Sequence, residues 1–537
     1  MKKFTKTLLM VIIATGFSAF VFGQGTEKLP RSIPEVEGVS SAGIIDFLNA
    51  ADTSELELHS FMFLRHGKVI AEGWWKPYGP EYKHIMFSAS KTFTATAVGL
   101  AVSENKLKVT DKVVSFFPYS LPDSVSDYMK EMTVQDLLTM SAGQDPEPRA
   151  MGFSGDWITK FLETEPIHKP GTVFMYNNMA TFMLSAIVQQ VTGVTVFDYL
   201  MPRIFKPLGI RGIDWDLNPQ GINLGMIGLR LRTEDLAKFG QLLLNNGMWE
   251  NKRILSKEWI AEATTFHIKN SDDPEEKRVF NDWGQGYAYQ MWRGRNNTVR
   301  LDGMGGQFVV LIPDKDAIVV FTANVANTQK QLDLMHDYLI PAIKSDKALP
   351  PVPELNKEIQ EQTAALSIQS GFATSAVSEF EAKIANSEFI LRDNDYNIQS
   401  AYFSFRNGEC NFALKRDNTI SSIKAGEKKW EMSNTLSSSL LAPNRNNFSK
   451  SIDANYSIVQ PVIKLGARYS WTDVNTLEIS GRFVEESLGS ETLVCKFTGQ
   501  NNEVQVSIEP KVPAASARAS FRRQQPVILM GTMVKIK

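Results

Sequence analysis

His84-Ile-Met-Phe-Ser88-Ala-Ser-Lys91-Thr-Phe-Thr-Ala-Thr-Ala-Val-Gly-Leu-Ala101 is an apolar run with helical spacing that begins at or just before a serine. Ser88 and Lys91 stand three apart, and residues i and i+3 share one face of a helix. The amine can therefore reach the hydroxyl and act as the base that removes its proton. The positive end of the helix dipole favours an anion developing at Ser88 and helps to hold the lysine neutral. The spacing by itself is weak, because roughly two or three Ser-x-x-Lys quartets arise by chance in a chain of this composition. Ser103-Glu-Asn-Lys106 and Ser421-Ser-Ile-Lys424 are read as such chance copies. The plainer reading of Ser88 and Lys91 is a helix-start serine beside an exposed lysine.

Two further stretches carry chemistry downstream. Pro170-Gly-Thr-Val-Phe-Met-Tyr176-Asn177-Asn178-Met-Ala-Thr-Phe-Met-Leu-Ser-Ala-Ile-Val-Gln-Gln-Val-Thr-Gly193 reads as a turn, a short strand and an apolar helix. Tyr176 and Asn178 sit at its strand-to-helix junction, where a phenol and an amide can both project into a cleft. The plainer alternative is that Asn177 or Asn178 caps the helix and Tyr176 is packing. Arg300-Leu-Asp-Gly303-Met304-Gly305-Gly306-Gln307-Phe308, running on to Asn324, reads as a strand, a turn and a second strand. Its glycines would let a backbone or a substrate approach closely.

Taken in this order, the three elements resemble the serine β-lactamase and penicillin-binding protein superfamily, in its class C-like branch of β-lactamases, DD-peptidases, esterases and amide hydrolases. The stretches Met132–Gly143, Gly228–Gly247 and Tyr287–Trp292 agree with that branch. The resemblance runs from about Ser32 to Ile343. It implies an α/β (α+β) fold, with an antiparallel sheet carrying helices beside a helical subdomain and the active site between them. It also implies roles: Ser88 as the acylated nucleophile, Lys91 as its base partner and Tyr176 as proton relay to the leaving group. Asn178 would hydrogen-bond substrate and Lys91, and the oxyanion hole would combine the Ser88 N–H with one from the third element, within Gly305, Gly306, Gln307 and Phe308. The sequence departs from the family at one place. A lysine or histidine often opens the third motif, whereas the matching triplet here is Gly303-Met304-Gly305, so a group that would meet a substrate carboxylate is missing.

Composition narrows the alternatives. A net charge of −2 from 57 basic and 59 acidic residues gives no field that would gather nucleic acid or an anionic membrane. Two cysteines, Cys410 and Cys495, exclude a disulfide scaffold, thiolate zinc sites and iron–sulfur clusters. The six histidines, His59, His66, His84, His168, His267 and His336, show no ligand spacing and are read as structural or surface residues. No metal or other cofactor is expected. Neither a Gly-x-Ser-x-Gly elbow nor a His-Glu-x-x-His motif occurs. Arg518, Arg522 and Arg523 are read as solvated surface.

Residues 1–23 read as a signal peptide, with Lys2, Lys3 and Lys6 ahead of an apolar run from about Leu8 to Phe22 that is short for a membrane span. The expected mature protein is periplasmic or secreted, with no stable span after cleavage. The hydrolase-like unit is placed at 24–345, ending at the Ala348-Leu-Pro-Pro-Val-Pro353 cluster. A helix-like connector is expected over 346–386. Period-two alternation, with a hairpin signal at Asn407-Gly408, then marks a small all-β unit over 387–537. That unit resembles the lipocalin-like barrels found after some members of the family. Its two cysteines sit in alternating apolar positions, where both a disulfide and a pair of buried thiols fit. The activity implied is an exported serine hydrolase acting on a small-molecule or peptide amide or ester through an acyl-serine intermediate. β-Lactams and D-amino-acid peptides are alternative substrates, and a catalytically idle receptor is the competing class. The oligomeric state is not legible.

Overall fold

The computed structural model describes residues 28–149, 155–368 and 378–535, apart from 418, 428, 436–438, 442–448, 454–462, 486–489, 500–502 and 512–527. The signal segment 1–23 and the Arg518, Arg522 and Arg523 run lie outside the described residues.

Among the described residues, eleven strands belong to the first unit: β1 (Leu58–Arg65), β2 (Lys68–Trp74), β3 (His84–Ile85), β4 (Asp214–Asp216), β5 (Leu229–Leu231), β6 (Met248–Trp249), β7 (Lys252–Arg253), β8 (Trp292–Arg293), β9 (Val299–Gly303), β10 (Gln307–Ile312) and β11 (Ala317–Ala323). Six of them form an antiparallel sheet in the order β2-β1-β11-β10-β9-β8. Strong alternation along buried strands sorts their side chains into two cores. Met62, Leu64, Val309, Leu311, Ile318 and Val320 face one way, into a core shared with the helices around the Ser88 motif. Phe61, Phe63, Phe308, Val310, Val319 and Phe321 face the other, against the helix Ser41–Thr53 and the helical segments of 328–342. The third sequence element contains one strand more than its sequence suggests, because Pro313–Lys315 divides the stretch after the glycine turn into β10 and β11.

The helix Ser90–Ser103, which carries Lys91, is buried almost throughout. Phe93 stacks on Phe239 with ring centroids 3.9 Å apart. Gly99 admits the Trp259 indole so closely that a Cβ would lie 2.2 Å from it. A helix buried on all sides cannot shift without opening a cavity, so the start of this helix is a rigid platform.

The segment after the proline cluster forms a helix, Pro353–Ala365, not a free strap. Leu355, Ile359, Leu366 and Ile368 pack into the second core of the hydrolase unit, and Leu366 and Ile368 make backbone bonds with Lys76. Then come β12 (Ser387–Leu391), β13 (Ile398–Arg406), β14 (Glu409–Arg416), β15 (Thr419–Gly426), β16 (Glu431–Thr435), β17 (Lys450–Ile452), β18 (Ile463–Trp471), β19 (Thr476–Phe483), β20 (Ser490–Thr498), β21 (Gln505–Lys511) and β22 (Leu529–Lys535). All but β17 join a ten-stranded sheet that closes where β15 meets β18, making a β-barrel. The β13–β14 hairpin turns at Asn407 and Gly408, both at positive φ (53° and 73°), as the Asn-Gly pair dictates. Cys410 and Cys495 are free thiols buried in the barrel core, which settles the two readings in favour of thiols. Strand β17 leaves the barrel and pairs with β4, extending the small sheet β17-β4-β5-β3 whose far edge leads into Ser88.

Candidate active site

Ser88 lies in a 3-10 turn, Phe87–Ala89, that precedes the helix Ser90–Ser103. Phe87 is held at φ 45°, a left-handed conformation that a bulky residue adopts only where its surroundings impose it. This turn aims the partly exposed Ser88 hydroxyl outward while Lys91, one turn on, stays buried. The Lys91 ammonium nitrogen is 3.0 Å from Ser88 Oγ, 2.8 Å from Asn178 Oδ1 and 3.2 Å from the Met226 carbonyl. Burial pulls its pKa down from 10.5 to about 7, against the opposing pull of Glu147 and Asp302. Ser90 plays a different part, since it is buried and its hydroxyl accepts the Leu229 N–H.

The stretch before Asn178 forms no strand; its Met175 N–H bonds to the Met140 carbonyl instead. Asn177 caps the following helix (Asn178–Thr192) by accepting the Ala180 N–H, which frees Asn178, the first helical residue, to face Lys91. Tyr176 lies within hydrogen-bonding reach of Ser88, with Lys91 Nζ 4.9 Å from its ring centre. Its ring stacks on Trp292 at 5.7 Å and meets Tyr287 edge-on at 6.5 Å. Burial pushes the Tyr176 phenol up, only partly offset by Ser88, so at neutral pH it is a protonated group.

Two acidic residues near Lys91 carry no signal in the sequence. Glu147 grips Asn178 twice, through the backbone N–H and through Nδ2 at 3.1 Å. Asp302, on β9, is nearly buried; burial raises its pKa while Arg300, with Nε 2.9 Å away, and Lys91 oppose the rise. Arg300 is itself buried, under the Trp283 ring at 4.6 Å, and its charge is committed to Asp302.

At the glycine turn it is another backbone, one of the two approaches the sequence allows, that comes close. Gly303 comes so close to the turn that holds Ser88 that a Cβ would lie 2.2 Å from the Met86 carbonyl and 3.2 Å from Ala89 N. No side chain fits there. The Gly306 N–H bonds to the Gly303 carbonyl, Gln307 pairs with Gly303 across the hairpin, and the Gly305 carbonyl accepts from Val325. The Gln307 side chain is spent on the Met304 and Ala323 backbone, with Nε2 3.0 Å and 2.7 Å from their carbonyls. Gly306 and Gln307 thus serve the turn itself, and Met304, 39% exposed, carries the first side chain beyond the close approach. Among the described residues no group of three His, Cys, Asp or Glu side chains is arranged to hold a metal ion.

A partly exposed serine stands beside a buried lysine whose pKa is drawn down, with a phenol and an amide converging on both, an arrangement chemically able to support acyl transfer. Residues 59–341 match the family model described as Beta-lactamase, more than half of the 537-residue chain, and the chain belongs to that family. It is 25% identical over 288 residues to the 6-aminohexanoate-dimer hydrolase of Paenarthrobacter ureafaciens, a match covering 49% of this chain and 71% of that protein. Against a beta-lactamase of Escherichia coli (strain K12) it is 26% identical over 123 residues, 22% of this chain and 32% of that one. Among solved structures, EstCE1, a hydrolase with promiscuous acyltransferase activity, aligns with 57% of this chain and 99% of its own, at 17% identity and a TM-score of 0.47. The octameric penicillin-binding protein homologue from Pyrococcus abyssi aligns with 91% of this chain and 98% of its own, at 16% identity and a TM-score of 0.43.

Proposed function

We propose that the protein is an exported serine hydrolase that cleaves an ester or amide through an acyl-Ser88 intermediate. The observation that carries this reading is the 3.0 Å contact between Ser88 Oγ and a buried Lys91 whose pKa lies near neutrality. Neutral Lys91 takes the Ser88 proton as Oγ attacks the carbonyl carbon, and the carbonyl oxygen becomes an oxyanion. Backbone N–H groups of Ser88 and of the Met304–Gly305 part of the hairpin turn stabilise that charge. As the tetrahedral centre collapses, Tyr176 passes a proton to the departing amine or alkoxide and regains one from Lys91. Water then attacks the acyl-serine, and the same groups return the proton to Ser88 Oγ. Asn178, held by Glu147, keeps Lys91 aimed at Ser88 throughout.

The substrate class rests on the charges around the serine. Glu147 and Asp302 are anionic neighbours of Lys91, Arg300 is committed, and Gly303 leaves no room for a cation at the third motif. An uncharged or cationic ester or amide fits this environment better than a β-lactam, which presents a carboxylate beside its scissile bond. The name of the Paenarthrobacter relative points to linear amides as one such class. Lys2, Lys3, Lys6 and the apolar run behind them support a periplasmic or secreted location, which processing of residues 1–23 and fractionation test.

A panel of p-nitrophenyl esters, linear amide dimers, D-amino-acid amides and nitrocefin, run on wild type and Ser88→Ala, tests the proposal. Turnover of an ester or amide lost in Ser88→Ala supports it. Turnover that survives in Ser88→Ala, or a preference for nitrocefin, overturns it.

A further inference from the structure

One ion pair between the barrel and the hydrolase unit stands at the end of a line of side chains that stops just short of Ser88. Arg482, buried on β19 of the barrel, places Nη2 3.1 Å from Glu57 Oε2. Glu57 Oε1 lies 3.2 Å from His59 Nε2, and Asn324 holds the same carboxylate from the side at 3.3 Å. His59 Nδ1 is 2.8 Å from His84 Nε2. His84 Nδ1 is 2.9 Å from the Ile85 carbonyl. A carbonyl can only accept, so His84 carries its proton on Nδ1 and its Nε2 accepts from His59 Nδ1–H; the Glu57 carboxylate only accepts as well, so both contacts of His59 are hydrogen bonds when its ring carries both protons. Both rings are buried, and Tyr78 stacks on His59 with centroids 3.7 Å apart.

The end of this line is not an arbitrary spot. His84 begins β3, and the chain passes directly from β3 through Met86 into the strained turn that displays Ser88. A left-handed phenylalanine survives only where the chain on both sides is fixed. On one side the buried nucleophile helix fixes it. On the other, β3 is held along its backbone by β5 and through its histidine by His59. The barrel reaches both supports: β17 extends the sheet that contains β5 and β3, and Arg482 closes the His59–Glu57 line.

We infer that Arg482 is a positioning residue for Ser88, acting from the barrel through Glu57, His59 and His84. The barrel is thereby part of the catalytic scaffold and not an appended module. This rests on the reading of Ser88 as the nucleophile.

The test uses full-length protein with Arg482→Gln, Arg482→Lys, Glu57→Gln and the Arg482→Gln/Glu57→Gln double variant, each shown to melt cooperatively. The readouts are the rate of Ser88 labelling by a fluorophosphonate and the separate kcat and KM for an ester. Arg482→Gln is expected to lower labelling rate and kcat by about ten- to a hundredfold, the scale of a misplaced reacting group, with KM changed less than about twofold. Arg482→Lys should recover most of that loss, and the double variant should be no worse than the poorer single one. Lys511→Gln, which breaks an exposed barrel ion pair with Glu478, should behave as wild type. Wild-type rates in folded Arg482→Gln, a loss confined to KM, or no recovery in Arg482→Lys would overturn the inference. If Arg482→Gln does not fold, His84→Asn decides: the same kcat-only loss supports the line, and an unchanged labelling rate overturns it. A wild type that the probe labels elsewhere than Ser88 would instead sink the nucleophile reading itself.

Discussion

The ionisation of Lys91 makes a quantitative prediction for catalysis between pH 6 and pH 8. Burial brings this lysine from 10.5 to about 7, and acylation needs its neutral form. With a pKa of about 7, the neutral fraction is about 0.09 at pH 6 and about 0.9 at pH 8. The specificity constant should therefore rise about tenfold over that interval and flatten above pH 8. A lysine left at its ordinary value would give a rise of about a hundredfold over the same interval, from a much lower base, and would keep climbing beyond pH 10. The assay is kcat/KM for p-nitrophenyl butyrate at constant ionic strength, corrected for spontaneous hydrolysis, since this constant reports groups of the free enzyme. Glu147 supplies a second handle, because its charge favours the ammonium form. Glu147→Gln should move the limb to lower pH. A flat or falling profile, or a limb that moves to higher pH in Glu147→Gln, would refute the assignment of Lys91 as the base.

Lys91→Arg should be nearly inactive, because a guanidinium keeps its proton across this range, and ester turnover by that variant reads the outcome directly. Lys91→Met should gain its greatest relative stability near pH 6: the folded lysine binds fewer protons than the unfolded one between about pH 7 and 10.5, so the penalty it imposes fades as pH rises through that window, as melting curves at pH 6 and pH 10 would show. Glu147→Ala, which deprives Asn178 of two acceptor contacts, should lower kcat roughly ten- to a hundredfold, the worth of a charge-assisted hydrogen bond of about 1.5–3 kcal/mol. Nitrocefin should be a poorer substrate than p-nitrophenyl butyrate by kcat/KM; Gly303→Lys cannot test the missing cation, since its Cβ would strike Met86, so Met304→Lys is the variant in which nitrocefin turnover should improve. Both cysteines should react with a thiol reagent only in denaturant, and reductant should leave the melting temperature unchanged.

Sequence reading served best where chemistry is local. Ser88 and Lys91 are a helical turn apart, and Asn407-Gly408 carries its turn type in its own backbone preferences, so neither needs the rest of the chain. Tyr176 and Asn178 were legible only through the family pattern, since a tyrosine before a capped helix is ordinary packing. Glu147 stayed hidden because it reaches Asn178 from a loop 31 residues away in which no periodicity marks a carboxylate. Arg482 and Glu57 are 425 residues apart, and nothing in either neighbourhood announces the other. Gly303 was half legible: its role as a gap was visible, with a backbone or a substrate as the two candidates to fill it, and only the folded chain shows that the backbone from Met86 to Ala89 does so.

The most direct test of the account is the site and stoichiometry of acylation. Wild-type protein mixed with an excess of a slowly hydrolysed p-nitrophenyl ester, quenched in acid within the burst, should gain the mass of one acyl group per chain by intact-mass spectrometry. Peptide mapping should place that group on Ser88, and Ser88→Ala should gain none. A group found on Ser90, Ser103 or Ser421, or steady turnover by Ser88→Ala, would contradict the mechanism at its centre.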